Sequence, residues 1–296
     1  MDIYDSIIAG AGIAGTVCGK LFSEQGKKCI VLEAKSSPHE KICGGLISQN
    51  TVKLLKSLGF SIDTLIDRGA IKTKGVITEK SGVLKKHSYT NNNYGIGTPR
   101  ILLQEFLINT AEDVGCEFRY SEHVSEIHKE NDYYNVNGFL GKSFISAIGA
   151  NPFCNRPNNW WKHQTFGISE IIKANGNIEK DYVYFFYPNK DSLDYFWLIP
   201  IYDNTWNVGY WSSSAKHLKQ SFLELREKYV LKNFKNIVTL RSPRGAICGS
   251  RNYSDTLDED IYCIGDFAGT CSSDSGAGIF SAAKSAKDLV QGFWLK

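Results

Sequence analysis

A glycine fingerprint set between two apolar runs constrains this chain more than any other feature. Residues 4–9 (YDSIIA) have the continuous apolar character of a strand buried on both faces, and they run straight into Gly10-Ala11-Gly12-Ile13-Ala14-Gly15. Beyond it Ala14, Val17, Cys18, Leu21 and Phe22 recur at helical spacing, Gln25-Gly26 supplies a stop, and residues 28–33 (KCIVLE) read as a second strand. The order is that of a complete βαβ unit. Gly10 permits the tight turn, Gly12 lets the backbone approach a pyrophosphate at the helix N-terminus, and Gly15 lets helix and strand pack closely. Glu33 stands 18 residues past Gly15, at the end of the second strand and followed by Ala34. It is placed to accept hydrogen bonds from an adenosine ribose. An acid at that point suits a free ribose hydroxyl, which favours FAD or NAD over NADP.

The other end of the sequence selects FAD. Residues 260–264 (DIYCI) are strand-like and end in Gly265-Asp266, followed by a Ser/Gly-rich loop that carries Gly276 and Gly278. A helical pattern then runs from Ile279 to residue 293. An aspartate at the C-terminal edge of a strand can accept from ribityl hydroxyls, while the next helix aims its first N–H groups at the negative charge that grows on a reduced flavin. Ordinary strand-to-turn punctuation is the plain alternative for Gly265-Asp266, and the N-terminal fingerprint weighs against it.

Composition removes several other classes. The 296 residues allow one large α/β domain with an insert or two ordinary domains, and 42% apolar with 22% charged residues is a globular balance. The 34 Lys and Arg against 31 Asp and Glu give +3 without a long run of one sign, so no nucleic-acid footprint exists. Eight cysteines, at 18, 29, 43, 116, 154, 248, 263 and 271, form no CxxC pair and read as reduced thiols of a cytoplasmic protein. Six histidines lack paired metal-ligand spacing. The start of the chain lacks a basic leader and no run reaches 18 apolar residues, so neither export nor membrane spanning is supported.

Taken together, GAGIAG with Glu33, then Lys41-Ile42-Cys43-Gly44-Gly45, then Pro99-Arg100 opening a helix, then CIGDFAG at 263–269, resemble the FAD-dependent geranylgeranyl-reductase-like group within the FAD-binding monooxygenase and reductase superfamily. The run Tyr195-Phe196-Trp197-Leu198-Ile199-Pro200 is similar to that family's Tyr-x-Trp-x-Phe-Pro signature, with Asn207-Val208-Gly209 following as in the family. The resemblance covers most of the chain. It implies an α/β fold, with a Rossmann-like FAD-binding domain on a parallel sheet and an antiparallel-sheet substrate domain. FAD would be the cofactor, with NAD(P)H as a transient electron donor. Cys43, Tyr195 and Trp197 are implied as catalytic candidates: the thiol would assist protonation or orient substrate, and the two rings would line its channel. Core packing is the plain alternative for all three. Arg100 would approach the flavin or its pyrophosphate, against a simple helix-start salt bridge.

The departures from the family pattern are specific. Asn151 stands where a Gly-Ala-Asp-Gly acid would fall, Ile199 replaces the Phe of the signature, and Ser273 and Ala277 replace a Pro and a Glu. Only 18 residues follow Gly278, so the usual C-terminal helical region is expected to be lacking and the cavity to be more open, or closed by a second subunit of a homodimer.

In this reading residues 1–70, 97–152 and 244–296 form a discontinuous FAD-binding domain, and 71–96 with 153–243 form the substrate domain. The runs YVYFFY, YFWLIPIY and WNVGYWS suggest an antiparallel sheet. All six Trp (160, 161, 197, 206, 211, 294) fall in the later half, enough for an aromatic-lined pocket for an apolar small-molecule or carrier-bound substrate, or equally for ordinary sheet core. No second GxGxxG follows a mid-chain strand, so electrons must come from a transiently bound donor. Hydride transfer from flavin N5 to an activated alkene is the implied reaction. An FAD monooxygenase is the rival, a hydroxylase before a halogenase, acting on an aromatic or carrier-bound substrate. Residues 196–200 also resemble part of the Trp-x-Trp-x-Ile-Pro element of flavin-dependent halogenases. A non-catalytic flavin-binding partner is the third class. Phe293-Trp294 is compatible with peripheral membrane contact, with docking into its own domain as the competing account.

Overall fold

The computed structural model describes residues 3–36, 38–39, 41–149, 164–189, 192–242, 244–248, 261–272 and 275–292. The expectations placed on Asn151, Trp160, Trp161, Ser273, Phe293 and Trp294 lie outside these residues.

The two sequence ends meet in one parallel sheet. Its strand order is Ile261–Cys263, Phe144–Ser146, Ser6–Ala9, Cys29–Glu33 and Glu117–Tyr120, with every neighbouring pair parallel. Ser6–Ala9 and Cys29–Glu33 are buried along their whole length, as a sheet covered on both faces requires. Alternation then decides which core each residue enters. Ile8 and Val31 face the cluster formed with the helices Ile13–Glu24, Arg100–Glu112 and Ile279–Gly292, whereas Ile7, Ile30 and Leu32 face the opposite side. That side is covered by a four-stranded sheet of Ile3–Tyr4, Phe139–Gly141, Tyr133–Val136 and Ile127–Glu130.

The second layer is an eight-stranded sheet. Its path runs Phe234–Arg241, Gln164–Gly176, Thr205–Ser212, Tyr195–Tyr202, Tyr182–Tyr187, Gly75–Lys80 and Val83–Ser88, and Arg244–Cys248 also pairs with Gln164–Gly176. The three aromatic runs are strands as expected. One pairing departs from an all-antiparallel sheet, because Tyr182–Tyr187 lies parallel to Gly75–Lys80. A parallel neighbour requires a crossover, and here it is the long return of the chain through the nucleotide layer between those two strands. Period-two alternation again separates the faces. Phe196, Leu198, Trp206, Val208 and Tyr210 pack with Phe222 and Leu225 of the helix Leu218–Arg226, while Trp197, Ile199 and Trp211 point to the other side, toward the nucleotide layer.

A small sheet of Leu46–Ile47, Gly95–Gly97 and Ile71–Thr73 joins the layers. A Cβ on Gly97 would sit 1.7 Å from the Pro200 carbonyl oxygen, so only glycine lets this sheet lie against Tyr195–Tyr202. Two short strands fall on the other side of the sequence-drawn boundaries. Arg244–Cys248 pairs within the large sheet, and Ile71–Thr73 belongs to the small one. Strand character is written locally, but the edge a strand joins is a long-range choice. The last described helix ends at Gly292, and no described helix is long and apolar enough to cross a membrane.

Candidate functional site

The turn after Ser6–Ala9 is shaped by sterics. Gly10 takes φ +102°, and a Cβ there would lie 2.6 Å from the Ala147 carbonyl oxygen. On Gly15 a Cβ would lie 1.9 Å from the Gly10 carbonyl oxygen, so helix and turn can touch only without a side chain. Gly12 differs: a Cβ there would meet nothing within 4 Å, and no side chain caps the helix that starts after it. The N–H groups of the first helical turn therefore open onto free space, where an anion fits. The Ala11 carbonyl is fixed by Thr16 Oγ1 at 3.1 Å and Gln104 Nε2 at 3.0 Å. Glu33 is buried, and its two carboxylate oxygens each accept a backbone N–H at 2.9 Å, from Ala11 and Lys35. Each oxygen keeps accepting capacity for a ribose hydroxyl. Ala34 is exposed beside it.

The C-terminal segment closes on this turn. Gly265 has φ +65°, and a Cβ there would come within 2.8 Å of Ala14 Cβ. Asp266 sits in the single turn Gly265–Ala268, largely buried, with its Oδ2 3.0 Å from Lys41 Nζ. The loop carrying Gly276 and Gly278 follows, and the helix Ile279–Gly292 begins directly from it. Gly276 abuts the Trp211 indole, where a Cβ would stand 2.6 Å from Nε1.

The Cys-Gly-Gly segment lies flat on the large sheet. A Cβ on Gly44 would be 2.8 Å from Ile199 Cδ1, and one on Gly45, which has φ +80°, would be 2.3 Å from the Thr98 carbonyl oxygen. Cys43 is half-buried, and its Sγ accepts the Gly45 N–H at 3.4 Å. Its carbonyl accepts from Asn207 Nδ2 at 2.8 Å, and Asn207 Oδ1 accepts from Trp197 Nε1 at 2.8 Å.

These three segments enclose one cavity of ≈ 270 Å³. Gly12, Ile13, Ala14, Cys43, Gly44, Arg100, Tyr195, Trp197, Gly265, Asp266, Gly276, Gly278 and Ile279 all line it. Of the other residues singled out in the sequence, Gly10, Gly15 and Gly45 shape its supports, and Glu33 and Ala34 fall outside the lining. Arg100 is buried at the start of its helix. The sheet wall is aromatic: Tyr195 stacks on Trp211 at 5.5 Å between ring centroids and meets Phe185 edge-on at 5.4 Å. Burial pushes the Tyr195 hydroxyl well above the ordinary tyrosine range, so it stays a neutral donor, given to the Ser275 carbonyl at 2.5 Å. Lys41, Phe185, Asn207 and Trp211 were not singled out as site residues. Lys41 heads the Cys-Gly-Gly motif, and Asn207 is a polar residue inside an apolar strand, so both carried a signal. Trp211 is one of the tryptophans whose clustering suggests an aromatic-lined pocket, and Phe185 carries no signal beyond strand character.

The donor set fits a flavin dinucleotide. An open helix N-terminus, a buried acid after the second strand and a carboxylate at the end of the C-terminal strand address a pyrophosphate, a ribose and a ribityl chain, and the cavity between them and the aromatic wall has room for a planar ring.

Comparison with known proteins agrees with this chemistry. Residues 4–139 match the model of the FAD binding domain family. Over 97% of its length the chain is 21% identical to digeranylgeranylglycerophospholipid reductase 2 of Methanococcoides burtonii, covering 73% of that protein. Among solved structures, a geranylgeranyl bacteriochlorophyll reductase-like protein from Thermoplasma acidophilum superimposes with a TM-score of 0.80 at 19% identity, covering 98% of this chain and 78% of the other. The flavin-dependent brominase Bmp2 also gives 0.80 at 18% identity, covering 100% and 80%. Residues 4–139 thus resemble an FAD-binding domain, and along nearly its whole length the chain is similar to FAD-dependent oxidoreductases of the geranylgeranyl-reductase-like kind.

Proposed function

We propose that this oxidoreductase is a reductase that saturates a carbon–carbon double bond of an apolar, isoprenoid-like substrate, free or carrier-bound. The observation that carries the reading is the half-buried Cys43 thiol, held on the cavity wall with the aromatic face of Tyr195, Trp197 and Trp211 in the same cavity. The first helical turn at Gly12–Ala14 would hold the pyrophosphate of FAD, Glu33 its ribose, and Asp266 its ribityl chain. When bound, FAD supplies the hydride, replenished by a transient donor such as NAD(P)H. The aromatic wall binds and orients the apolar substrate and excludes water. Cys43 Sγ holds the proton that completes saturation, and water restores it afterwards.

Anaerobic reduction of the purified protein, followed by addition of a geranylgeranyl lipid, tests this. Reoxidation of the flavin without oxygen, with a product heavier by two hydrogens per saturated bond, supports a reductase. Turnover only with oxygen, giving a hydroxylated or halogenated product, overturns it in favour of a monooxygenase. Flavin that is bound but stays unreactive in both assays overturns it in favour of a non-catalytic flavin protein.

A further inference from the structure

Asn207 lies in the interior of a strand whose other interior residues, 206 and 208–211, are aromatic, aliphatic or glycine. Along Thr205–Ser212 the residues Trp206, Val208 and Tyr210 enter the distal core, and Trp211 faces the cavity. Asn207 shares the parity of Trp211 and is almost fully buried, at 5% exposure. Burying an amide among aromatic rings is unfavourable unless its two ends are both used. Here they are, in opposite directions. Oδ1 accepts from Trp197 Nε1 and Nδ2 donates to the Cys43 carbonyl, both at 2.8 Å, which fixes the amide orientation because the reverse would face donor with donor. Trp197 has no freedom to leave: its ring lies on Gly209, where a Cβ would be 2.2 Å from Cζ2. The Cys-Gly-Gly segment is equally close to the strand through Gly44 and Ile199.

We propose that Asn207 is a positioning residue that ties the Cys43 backbone to the indole of Trp197 and so sets where the thiol meets the cavity. Its importance for turnover rests on the role of Cys43 proposed above; the positioning itself does not. Gly209 gives Trp197 its seat, Trp197 orients the Asn207 amide, and the amide holds the Cys43 carbonyl. Among the described residues the thiol keeps one hydrogen bond, accepted from the Gly45 N–H.

The test is the rate of Cys43 alkylation by iodoacetamide in the full chain as purified with its flavin, read by peptide mass spectrometry across pH. Asn207→Asp keeps the shape and the bond from Trp197 but turns an acceptor toward the Cys43 carbonyl. Asn207→Ala removes both bonds. In both variants the plateau rate at high pH should rise about three- to tenfold, the fold-change of one lost hydrogen bond. The pH midpoint should lie higher in Asn207→Asp than in Asn207→Ala, because a carboxylate beside the segment disfavours the thiolate. Alkylation of the buried Cys18, Cys29 and Cys116 should be unchanged, which a general loosening of the fold would not give. Should either Asn207 variant fail to fold, Trp197→Phe removes the indole donor together with the ring edge seated on Gly209, and should raise the same rate with Cys18, Cys29 and Cys116 unchanged. Plateau rate and midpoint equal to the parent protein in the folded variants overturn the proposal. FAD titration of flavin-free preparations of the same variants reports on the flavin reading separately.

Discussion

Gly12 and Gly15 stand three residues apart in one fingerprint, and the structure gives them opposite jobs that a pair of alanine variants separates. On Gly15 a new Cβ would lie 1.9 Å from the Gly10 carbonyl oxygen, whereas ordinary contact begins at 3.4 Å, so helix and turn would have to part by about 1.5 Å. Overpacking of that kind costs about 1–3 kcal/mol, and the obstacle is backbone, which places it at the upper end. Alanine returns about 1 kcal/mol of helix propensity. The expected net loss for Gly15→Ala is about 2 kcal/mol in the flavin-free protein. On Gly12 a Cβ meets nothing, and φ is −70°, which alanine adopts freely. Gly12→Ala should therefore change flavin-free stability by no more than about 0.5–1 kcal/mol, the difference between glycine and alanine as an N-cap. Its effect belongs to the ligand, since the methyl takes the space through which a pyrophosphate approaches. FAD affinity should fall at least about tenfold, or about 1.4 kcal/mol. Urea unfolding without flavin and FAD titration by fluorescence quenching measure the two quantities independently. Equal destabilisation of the flavin-free protein by both variants, or parental FAD affinity in Gly12→Ala, would refute the assignment of separate roles.

Other consequences follow from single contacts. Tyr195→Phe keeps the ring stack but deletes the bond to the Ser275 carbonyl; unfolding free energy should drop by about 1 kcal/mol, and a melt indistinguishable from the parent's would count against that anchor. Burial, joined by Asp194 at the second site, pushes the Tyr184 and Tyr210 hydroxyls up to about 12, above the unfolded value of 10.0. Both hold their protons more tightly when folded, so their stabilisation is complete below pH 10 and is lost as pH rises toward 12. Urea midpoints should fall across that window, and Tyr210→Phe should flatten the fall; a pH-independent midpoint would contradict the burial of these hydroxyls. Cys43 should be the first of the described cysteines to be alkylated in the native protein, since Cys18, Cys29, Cys116, Cys263 and Cys271 are all buried. Labelling of any of these five ahead of it would contradict the placement of the Cys-Gly-Gly segment.

Local sterics and alternation made the nucleotide half of the molecule legible from residues alone. Gly15 is glycine because the Gly10 carbonyl, five residues away, leaves no room, whereas Gly10 is crowded by Ala147 and Ile148 from a distant part of the chain and only its positive φ is local. The runs YVYFFY and YFWLIPIY announced strands because bulky and β-branched residues suit a pleated, half-buried surface. Gln164–Gly176 is as regular in the structure but mixes glycine, lysine and glutamate, and its place comes from pairing with three other strands. The parallel match of Tyr182 to Gly75 and the ion pair of Lys41 with Asp266, 225 residues apart, are long-range arrangements without a local trace. Asn207 marks the boundary between the two cases. A polar residue inside an apolar strand signals something, but its partners, Trp197 and the Cys43 carbonyl, emerge only once the sheet is assembled.

The clasping of one FAD between the two ends of the sequence is tested most directly by equilibrium titration of the flavin-free chain with FAD, alongside Gly12→Ala and Asp266→Ala. One FAD per chain should bind, with affinity reduced in each variant although the two positions come from opposite ends of the sequence. A chain that takes up no flavin in excess FAD, or binds it equally well with Asp266 removed, would contradict the clasp.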